Sequence, residues 1–580
     1  MSFLRNTFMN VYQKKAYPNY WDMLALFMVL GIIMLLAWNA KQMAVPYQLG
    51  QAIPISLNPD HLPGYALRTV SRMFLALIFS LLFTFTFATW AAKSKRAERI
   101  IIPFIDILQS VPILGFLSIT VVGFIALFPN SLLGPECAAI FAIFTSQAWN
   151  MALGFYQTVR SVPAELNEAA TMFHLSAWQR FWRIDVPFSL PGLLWNTMAS
   201  MTAGWFFVVA SEAISVSNQQ ILLPGIGSYI TVAIQSADMH AIGFAILTMF
   251  IVILIYDQLL FRPLVAWAEK FKSELVGQEG VEAHSWILDI LNRTRFIRHV
   301  GYKIGYLLES GVNISFLRSK PLTAFHPSSY KAKQYAIWIW NILFIFAMIC
   351  LVVFFFHFVI KNVSLDTIKH VFFLGMVTAF RVFILVILCS LIWIPIGVWV
   401  GLRPQAAYIV QPIAQFLAAF PANLLYPFVV IFIVTYHLNV NIWATPLMIL
   451  GAQWYILFNV IAGASLIPKD LLQAADNLGL KTWLRWQKLI IPAIFPYFIT
   501  GAITAAGGAW NASIVAEVVS WGNTKLVATG LGAYISEYTA KGDFINIGLS
   551  IGMMCVLVLL FNHFVWRPLY RYAQSRYTLD

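Results

Sequence analysis

Apolar runs separated by short polar loops dominate the chain from one end to the other. A spanning helix takes roughly 20 apolar residues, and 580 residues leave room for many such helices. The runs fall into two sets of six, at 21–38, 67–91, 101–128, 134–157, 189–212 and 241–261, and at 335–360, 370–400, 409–435, 442–463, 494–520 and 545–565. The pattern therefore predicts an all-α membrane protein of about 12 transmembrane helices in two six-helix halves.

The longest polar stretch lies between the two sets of runs. It predicts a first six-helix domain at 1–269, a basic linker at 270–334 and a second six-helix domain at 335–580. Within the linker, apolar residues of 285–308 recur at roughly helical spacing between Arg and Lys side chains. This pattern indicates a basic amphipathic helix on the inner leaflet. A simple tether between the two halves is an equally open interpretation of the same stretch.

The composition indicates burial in lipid rather than in a soluble core. Hydrophobic residues make up 60% of the chain and charged residues 11%, whereas a soluble protein carries about 25% charged residues. The net charge is +13, but the Lys and Arg residues lie in short loops between apolar runs. That distribution sets the orientation of a membrane protein, so it indicates a lipid bilayer and not a nucleic acid as partner. It predicts a cytoplasmic linker and two cytoplasmic termini.

Two of the polar loops are variants of one sequence. The first reads EAATMFHLSAWQRFWRIDVP at 168–187, and the second reads QAADNLGLKTWLRWQKLIIP at 473–492. Adding 305 to a number in the first loop gives its partner in the second, so that Ala169 matches Ala474. The small alanines permit the close approach of a partner, and the following Leu supplies an anchor. Each loop is predicted to form a short helix that transmits a movement of a soluble partner to the membrane-spanning helices.

The repeat extends over most of each half. Residues match at an offset of 309 in the second and third runs, and at an offset of 305 from the fourth run onward. The matched pairs include Arg72/Arg381, Pro112/Pro421, Trp205/Trp510, Glu212/Glu517, Gly225/Gly530 and Gly227/Gly532. Because each half has an even number of runs, both halves have one orientation, as in parallel repeats about an axis along the membrane normal.

The repeated loop resembles the EAA loop, EAA-x3-G-x9-I-x-LP, of the permease subunits of ATP-binding-cassette importers. The resemblance implies that each loop forms a coupling helix, which docks in a groove of an ATPase subunit. The implied coupling residues are Glu168, Ala169, Ala170, His174 and Leu175 in the first loop and Gln473, Ala474, Ala475, Gly479 and Leu480 in the second. His174 stands where the family has Gly, and Gln473 stands where it has Glu. We therefore expect two unequal contacts, of which the second is the more conventional.

Other segments are similar to the branch of this family that imports nitrate, sulfonates, taurine or bicarbonate. Both halves have an Arg early in the second run and a Trp followed by a Glu near the end of the fifth run. A Gly-x-Gly-x-Tyr segment then follows in each half. The resemblance implies that the substrate is a small anion. It also implies that this chain fuses two domains that other members carry as separate subunits.

Four ionisable residues lie inside the predicted spans, where a charge is costly and faces a cavity or a partner. They are Arg72 and Glu212 in the first half and Arg381 and Glu517 in the second half. One interpretation places them around the translocation path, where the arginines would favour an anion. The other interpretation, which we favour, is an Arg–Glu tie between neighbouring helices.

The sequence predicts no nucleotide-binding site in this chain. The segment 479–482 places Leu480 where a phosphate-binding loop has the Gly before its Lys. No nucleophile–base pair is evident, and the ten His form no metal-ligand cluster. We therefore expect no catalytic residue, metal or cofactor in the chain itself. ATP and Mg would be bound by two separate cytoplasmic ATPase subunits, and a periplasmic or lipid-anchored binding protein would deliver the substrate at a bacterial inner membrane.

A secondary transporter of the major-facilitator type is the main alternative. It also has 12 spans in two parallel halves, but it needs no ATPase partner. A membrane scaffold without a transport role is a third hypothesis. A gene for an ATPase or a binding protein beside the gene of this chain would favour the importer over both.

Overall fold

The first half of the chain is a helical bundle in the computed structural model. The structure describes residues 53–268, 286–294 and 361–577 apart from 111, 217–218 and 481, together with scattered residues between 23 and 51 and between 303 and 357. The helices of the first half are α1 (Pro59–Lys93), α2 (Lys95–Ser110), α3 (Ile113–Leu127), α4 (Leu133–Arg160), α5 (Ala164–Met172), α6 (Ala177–Glu212), α7 (Ile226–Gln235) and α8 (Met239–Ala268). A short helix of the linker, α9, follows at Trp286–Arg293.

The second half repeats this order of elements. Its helices are α10 (Leu365–Gly401), α11 (Pro404–Ala419), α12 (Ala422–Thr435), α13 (Val440–Ser465), α14 (Lys469–Asn477), α15 (Trp483–Ala516), α16 (Leu531–Lys541) and α17 (Phe544–Ala573). The short helices α5 and α14 occupy the two repeated loops. The sequence repeat is therefore also a repeat of structure, helix by helix.

Eight helices of the described segments are long and apolar enough to cross a membrane, or nine if the bent pair α11 and α12 forms one span. The predicted spans at 21–38 and 335–360 lie outside the continuously described segments, so the total of 12 stays a prediction. The third predicted span of each half is broken. In the second half the two pieces meet at 78°, next to Pro421, and in the first half the break lies at Pro112, because proline at this position ends the preceding helix.

Four wide helical turns occur in matched pairs. They lie at Phe181–Asp185, Asp257–Phe261, Trp486–Ile490 and Asn562–Trp566. A proline follows each of them after one further residue, at Pro187, Pro263, Pro492 and Pro568. A proline ring clashes with the carbonyl four residues earlier, and a wide π-turn can absorb that clash without ending the helix. The helices that contain the predicted fifth runs, α6 and α15, therefore start before Pro187 and Pro492 and run through them.

Two small β-hairpins, which the sequence analysis did not predict, follow the fifth spans. Strand β1 (Ala213–Val216) pairs with β2 (Gln219–Leu222), and β3 (Val518–Trp521) pairs with β4 (Thr524–Val527), both antiparallel. The predicted span at 494–520 therefore ends at Ala516. A helix of about 30 residues rises roughly 45 Å, so the hairpins lie at the opposite end of the bundle from α5 and α14. We call these the hairpin end and the loop end.

The two halves share one continuous core. A single cluster of buried residues contains Leu114 and Phe207 of the first half together with Leu447 and Trp510 of the second. The N–H of Ile113, at the start of α3, donates to the side-chain oxygen of Asn511 on α15 over 2.8 Å. At the hairpin end the N–H of Gly522 donates to the carbonyl of Ile234 over 2.8 Å. The halves thus pack as one unit, in which the third span of one contacts the fifth span of the other.

Candidate functional site

Both repeated loops end their short helix with the same backbone turn. The N–H of Leu175 donates to the carbonyl of Ala170, and that of Leu480 donates to the carbonyl of Ala475. The residue before each Leu has positive φ, 49° at His174 and 62° at Gly479. These are the hydrogen bonds and the left-handed residue of a Schellman helix end. The Gly of the EAA loop therefore has a backbone role, and the Leu after it closes the turn.

The two alanines of each loop differ in their surroundings. Ala170 and Ala475 are 3% and 4% exposed, so each faces its own half of the bundle. The preceding residues, Glu168 and Ala169 in the first loop and Gln473 and Ala474 in the second, are exposed or half-buried. The tips are apolar and open to solvent, with Phe173 78% and Leu478 75% exposed. A partner would therefore meet the tip and the outer alanine, while the inner alanine fixes the helix to the bundle.

We expect His174→Gly to stabilise the first loop and Gly479→Ala to destabilise the second, each by about 1 kcal/mol, because a residue with a Cβ is strained at positive φ. A Cβ added to Gly479 would meet no atom within 4 Å, so crowding does not enter. Thermal unfolding of the purified protein, with hydrogen exchange of the two loops, measures both effects. Gly243→Ala is the matched control, since its Cβ also meets open space but its backbone is helical. Equal effects at Gly479 and Gly243 would contradict this interpretation.

A fully buried arginine lies near the hairpin end of the first half. Arg72, on α1, is 0% exposed. Its Nε and Nη2 atoms donate to the two carboxylate oxygens of Glu136, on α4, over 2.6 and 2.7 Å. Its Nη1 atom donates to Glu212, at the end of α6, over 2.6 Å. One guanidinium thus joins three helices. Its two parallel hydrogen bonds to Glu136 use the planar, fork-like geometry of the arginine side chain.

The second half has the same arrangement with one charge fewer. Arg381 Nη1 donates to Glu517 over 2.7 Å. The fourth-span residue is now Asn441, whose backbone and side-chain oxygens accept from Arg381 Nε and Nη2 over 3.2 and 3.0 Å. Asn441 matches Glu136 at the offset of 305 (136 + 305 = 441). The structure thus brings together each Arg–Glu pair that the sequence singled out and adds a third residue to each.

The two glycines after each hairpin make room for the buried glutamates. A Cβ on Gly225 would lie 2.3 Å from the carboxylate carbon of Glu212, and one on Gly530 would lie 2.4 Å from that of Glu517. Backbone N–H groups also donate to these carboxylates, from Gly227 over 2.6 Å in the first half. A buried carboxylate needs such donors, which explains the Gly-x-Gly segment in each half.

Sequence reasoning missed several residues of these sites. Glu136 was not distinguished because Asn441, its partner in the repeat, is uncharged. Thr69 and Thr378, whose hydroxyls lie 2.7 and 2.9 Å from Glu212 and Glu517, match at an offset of 309 and could have been found from the repeat alone. A third charged pair, Lys93 with Asp185 at 2.8 Å, lies at the loop end of the first half.

The fold and the sites define a membrane permease made of two repeated helical domains, each with one copy of the repeated loop and one buried Arg–Glu pair. The family model described as the binding-protein-dependent transport system inner membrane component matches residues 84–262 and again 393–576. The chain belongs to this family, with two of its domains fused. Family membership favours the importer over a secondary transporter or a scaffold, and it confirms the resemblance inferred from the loops.

Several curated proteins are similar to parts of the chain. The bicarbonate transport system permease protein CmpB of Synechococcus elongatus is 29% identical over 178 residues, which is 31% of this chain and 61% of that protein. The nitrate import permease protein NrtB of Leptolyngbya laminosa is 31% identical over 114 residues, 20% of this chain and 39% of the relative. The glycine betaine/proline betaine permease ProW of Escherichia coli is 29% identical over 164 residues, which is 28% of this chain and 44% of that protein. The matches thus span about three fifths or less of each relative.

Proposed function

We propose that this chain is the membrane-spanning subunit of an ATP-driven importer in a bacterial inner membrane. Two ATPase subunits dock at α5 and α14, and a binding protein delivers substrate at the hairpin end. Binding and hydrolysis of ATP shift an equilibrium between states that open to either side. Under this proposal the loop end faces the cytoplasm, in agreement with the positive charge of the loops there.

The single observation that carries the proposal is the paired construction of the coupling helices. Each is nine residues long, starts after a proline and ends in the same Schellman turn. Each holds a buried inner alanine against its own half and exposes a large apolar side chain at the tip. An exposed Phe or Leu at two matched points indicates a protein contact at both. A pair of ATPase subunits fits two such contacts.

We propose that the buried Arg–Glu pairs tie helices together and do not contact the substrate. Arg72 has no exposed surface, and its donors go to Glu136, Glu212 and the carbonyl of Pro224. Four of its five N–H groups are thus used, and the fully buried side chain is not accessible to an anion in this arrangement. In the second half, Arg381 is 5% exposed and is similarly engaged. The arginines therefore give no support for an anionic substrate.

The proposed substrate is a small anion such as bicarbonate, nitrate, taurine or another sulfonate. Relatives named for bicarbonate and nitrate support this class. The relative named for betaines supports the alternative, a betaine substrate. Uptake of labelled bicarbonate, nitrate, taurine and glycine betaine into ATP-loaded proteoliposomes discriminates between them, when the chain is reconstituted with its ATPase and binding protein. Uptake of glycine betaine alone would contradict the anion proposal and leave the importer intact.

Docking at the tips is tested by Phe173→Ser and Leu478→Ser. Each variant is expected to lower the co-purification of the ATPase by about tenfold, since an apolar anchor is worth roughly 1.5–3 kcal/mol when buried in a partner. Val527→Ser is the matched control, because Val527 is an apolar residue, 53% exposed, at the hairpin end. If the ATPase is retained fully by both tip variants, the assigned role of the loops is wrong.

A further inference from the structure

The turn between each coupling helix and its fifth span differs between the halves. We call residues 176–185 the first elbow and 483–490 the second elbow. In the first, Asp185 has a side chain only 1% exposed and forms an ion pair with Lys93, at the end of α1, over 2.8 Å. The repeat places Leu402 (93 + 309) and Ile490 (185 + 305) at the matching positions. An ion pair therefore joins the first elbow to the end of α1. In the second half both matching positions are apolar.

A segment of the linker contacts the first elbow. The carbonyl of Gly311 accepts from the indole N–H of Trp178 over 3.2 Å. The side-chain oxygen of Asn313 accepts from Gln179 Nε2 over 3.3 Å and from Arg183 Nη2 over 3.0 Å. Val312, between them, is 6% exposed. Three bonds and one buried side chain thus attach residues 311–313 to this turn.

Gln179 uses both ends of its side-chain amide. Its side-chain oxygen accepts from the backbone N–H of Ser176, its backbone N–H donates to the Ser176 hydroxyl, and these two bonds form a capping box at the start of α6. Its amide nitrogen remains free for Asn313. The matching residue in the second half is Leu484 (179 + 305), which can make neither bond. The linker contact therefore depends on a side chain that the first elbow alone provides.

The second elbow is correspondingly open. Trp483 is 75% exposed, whereas the matching Trp178 is 37% exposed, and Leu484 is 41% exposed, whereas Gln179 is 5% exposed. In the part of the chain that the structure describes, the side chains of the second elbow make one hydrogen bond, from Arg485 to Asp476 over 2.5 Å. That bond lies within the second loop itself, so it does not attach the loop to the rest of the protein.

We propose that linker residues 311–313, with Lys93, clamp the first coupling loop, so that the second loop carries most of the displacement when the ATPases close. A displacement of the first loop against α1 and the linker must break these bonds, whereas the second loop makes no such bonds to the described part of the chain. The proposal rests on the coupling role proposed above. It makes the linker a working part of the transporter and not a passive tether.

Hydrogen exchange of the purified chain tests the clamp without any ATPase. Residues 176–185 are expected to exchange at least about tenfold more slowly than 483–490, and Asn313→Ala is expected to remove most of this difference without changing the second elbow. Lys303→Ala is the control, because Lys303 is an exposed linker residue. Equal exchange of the two elbows in the parent protein would overturn the clamp.

A reducible crosslink tests the unequal displacement. In a background free of the four native cysteines, Gln179→Cys and Asn313→Cys are joined by a short bis-methanethiosulfonate reagent, because two cysteines are shorter than the Gln and Asn side chains whose ends now bond. Once a gel shift shows that the crosslink has formed, ATP-driven uptake is expected to stay within about twofold of the reduced protein. A tenfold loss that reduction reverses would show that the first loop must leave the linker, which overturns the proposal. If the chain with its native cysteines shows no ATP-driven uptake, the proposed function fails, and the exchange experiment still decides whether the clamp exists.

Discussion

Replacing Arg72 by Met is expected to destabilise the protein by about 3–5 kcal/mol, because removal of one partner leaves a buried charge uncompensated. Here two carboxylates remain, since the side chains of Glu136 and Glu212 are 1% and 0% exposed. Methionine fills a similar volume, so the loss comes from charge and not from a cavity. Arg381→Met leaves only Glu517 and is expected to cost less. Thermal unfolding of both variants in the same detergent measures the difference.

Neutralising the acids separates this explanation from a packing defect. Arg72→Met combined with Glu136→Gln and Glu212→Gln is expected to recover most of the lost stability, because no buried charge remains. Glu136→Asn is the milder matched change, since it gives Arg72 the partners that Arg381 has. A triple variant as unstable as Arg72→Met alone would show that the charges are not the cause. Normal uptake by the triple variant would agree with a tie between helices.

The helical architecture was largely predictable because its signal is carried by many residues at once. A run of about 20 apolar residues indicates a span whatever its details, so the predicted runs at 134–157 and 442–463 agree closely with α4 and α13. The repeat added further support, because a residue that recurs at the matching position of both halves, such as Glu212 and Glu517, indicates the same structural role in each half. The Arg–Glu proximity followed from the cost of a lone charge in a membrane.

Features decided by local geometry were not predictable from the same patterns. The hairpins after the fifth spans have strands of four residues, too short for a periodic signal. The starts of α6 and α15 were not predictable, because a proline usually marks a helix boundary, whereas the π-turns before Pro187 and Pro492 let these helices continue through it. A contact of Leu175 and Leu480 with a partner stays a prediction. Their backbone N–H groups also close the helix end, which was not predictable because that hydrogen bond depends on the positive φ of the preceding residue.

The structure adds further differences between the two loops to those that the sequence indicated. His174 and Gly479 adopt the same left-handed backbone, so the change from Gly alters strain and leaves the shape of the turn unchanged. The larger differences are Lys93 with Asp185 against Leu402 with Ile490, and the contact with Asn313 in the first half only. These differences involve Lys93 and Asn313, which lie far from the loops in sequence. A comparison of the two loop sequences alone therefore does not reveal them.

Placing an arginine at the inner alanine of each loop is expected to lower uptake by about tenfold or more. Ala170 and Ala475 are 3% and 4% exposed, so a longer side chain must displace α5 or α14, at a typical cost of about 1–3 kcal/mol for overpacking alone. Burial of the unpaired charge adds to that cost, and about 1.4 kcal/mol already corresponds to a tenfold change. ATP-driven uptake and thermal unfolding of Ala170→Arg and Ala475→Arg are the measurements.

The neighbouring alanine supplies the matched control within the same helix. Ala474 is exposed, so Ala474→Arg is expected to preserve thermal stability while it weakens association with the ATPase, because the added side chain projects toward the partner. Ala475→Arg is expected to lower both. If the two substitutions instead have the same effect on stability, the inner alanine does not fix the helix to the bundle. If Ala474→Arg leaves association and uptake unchanged, that face of the helix does not meet the ATPase, and the coupling surface is restricted to the apolar tip.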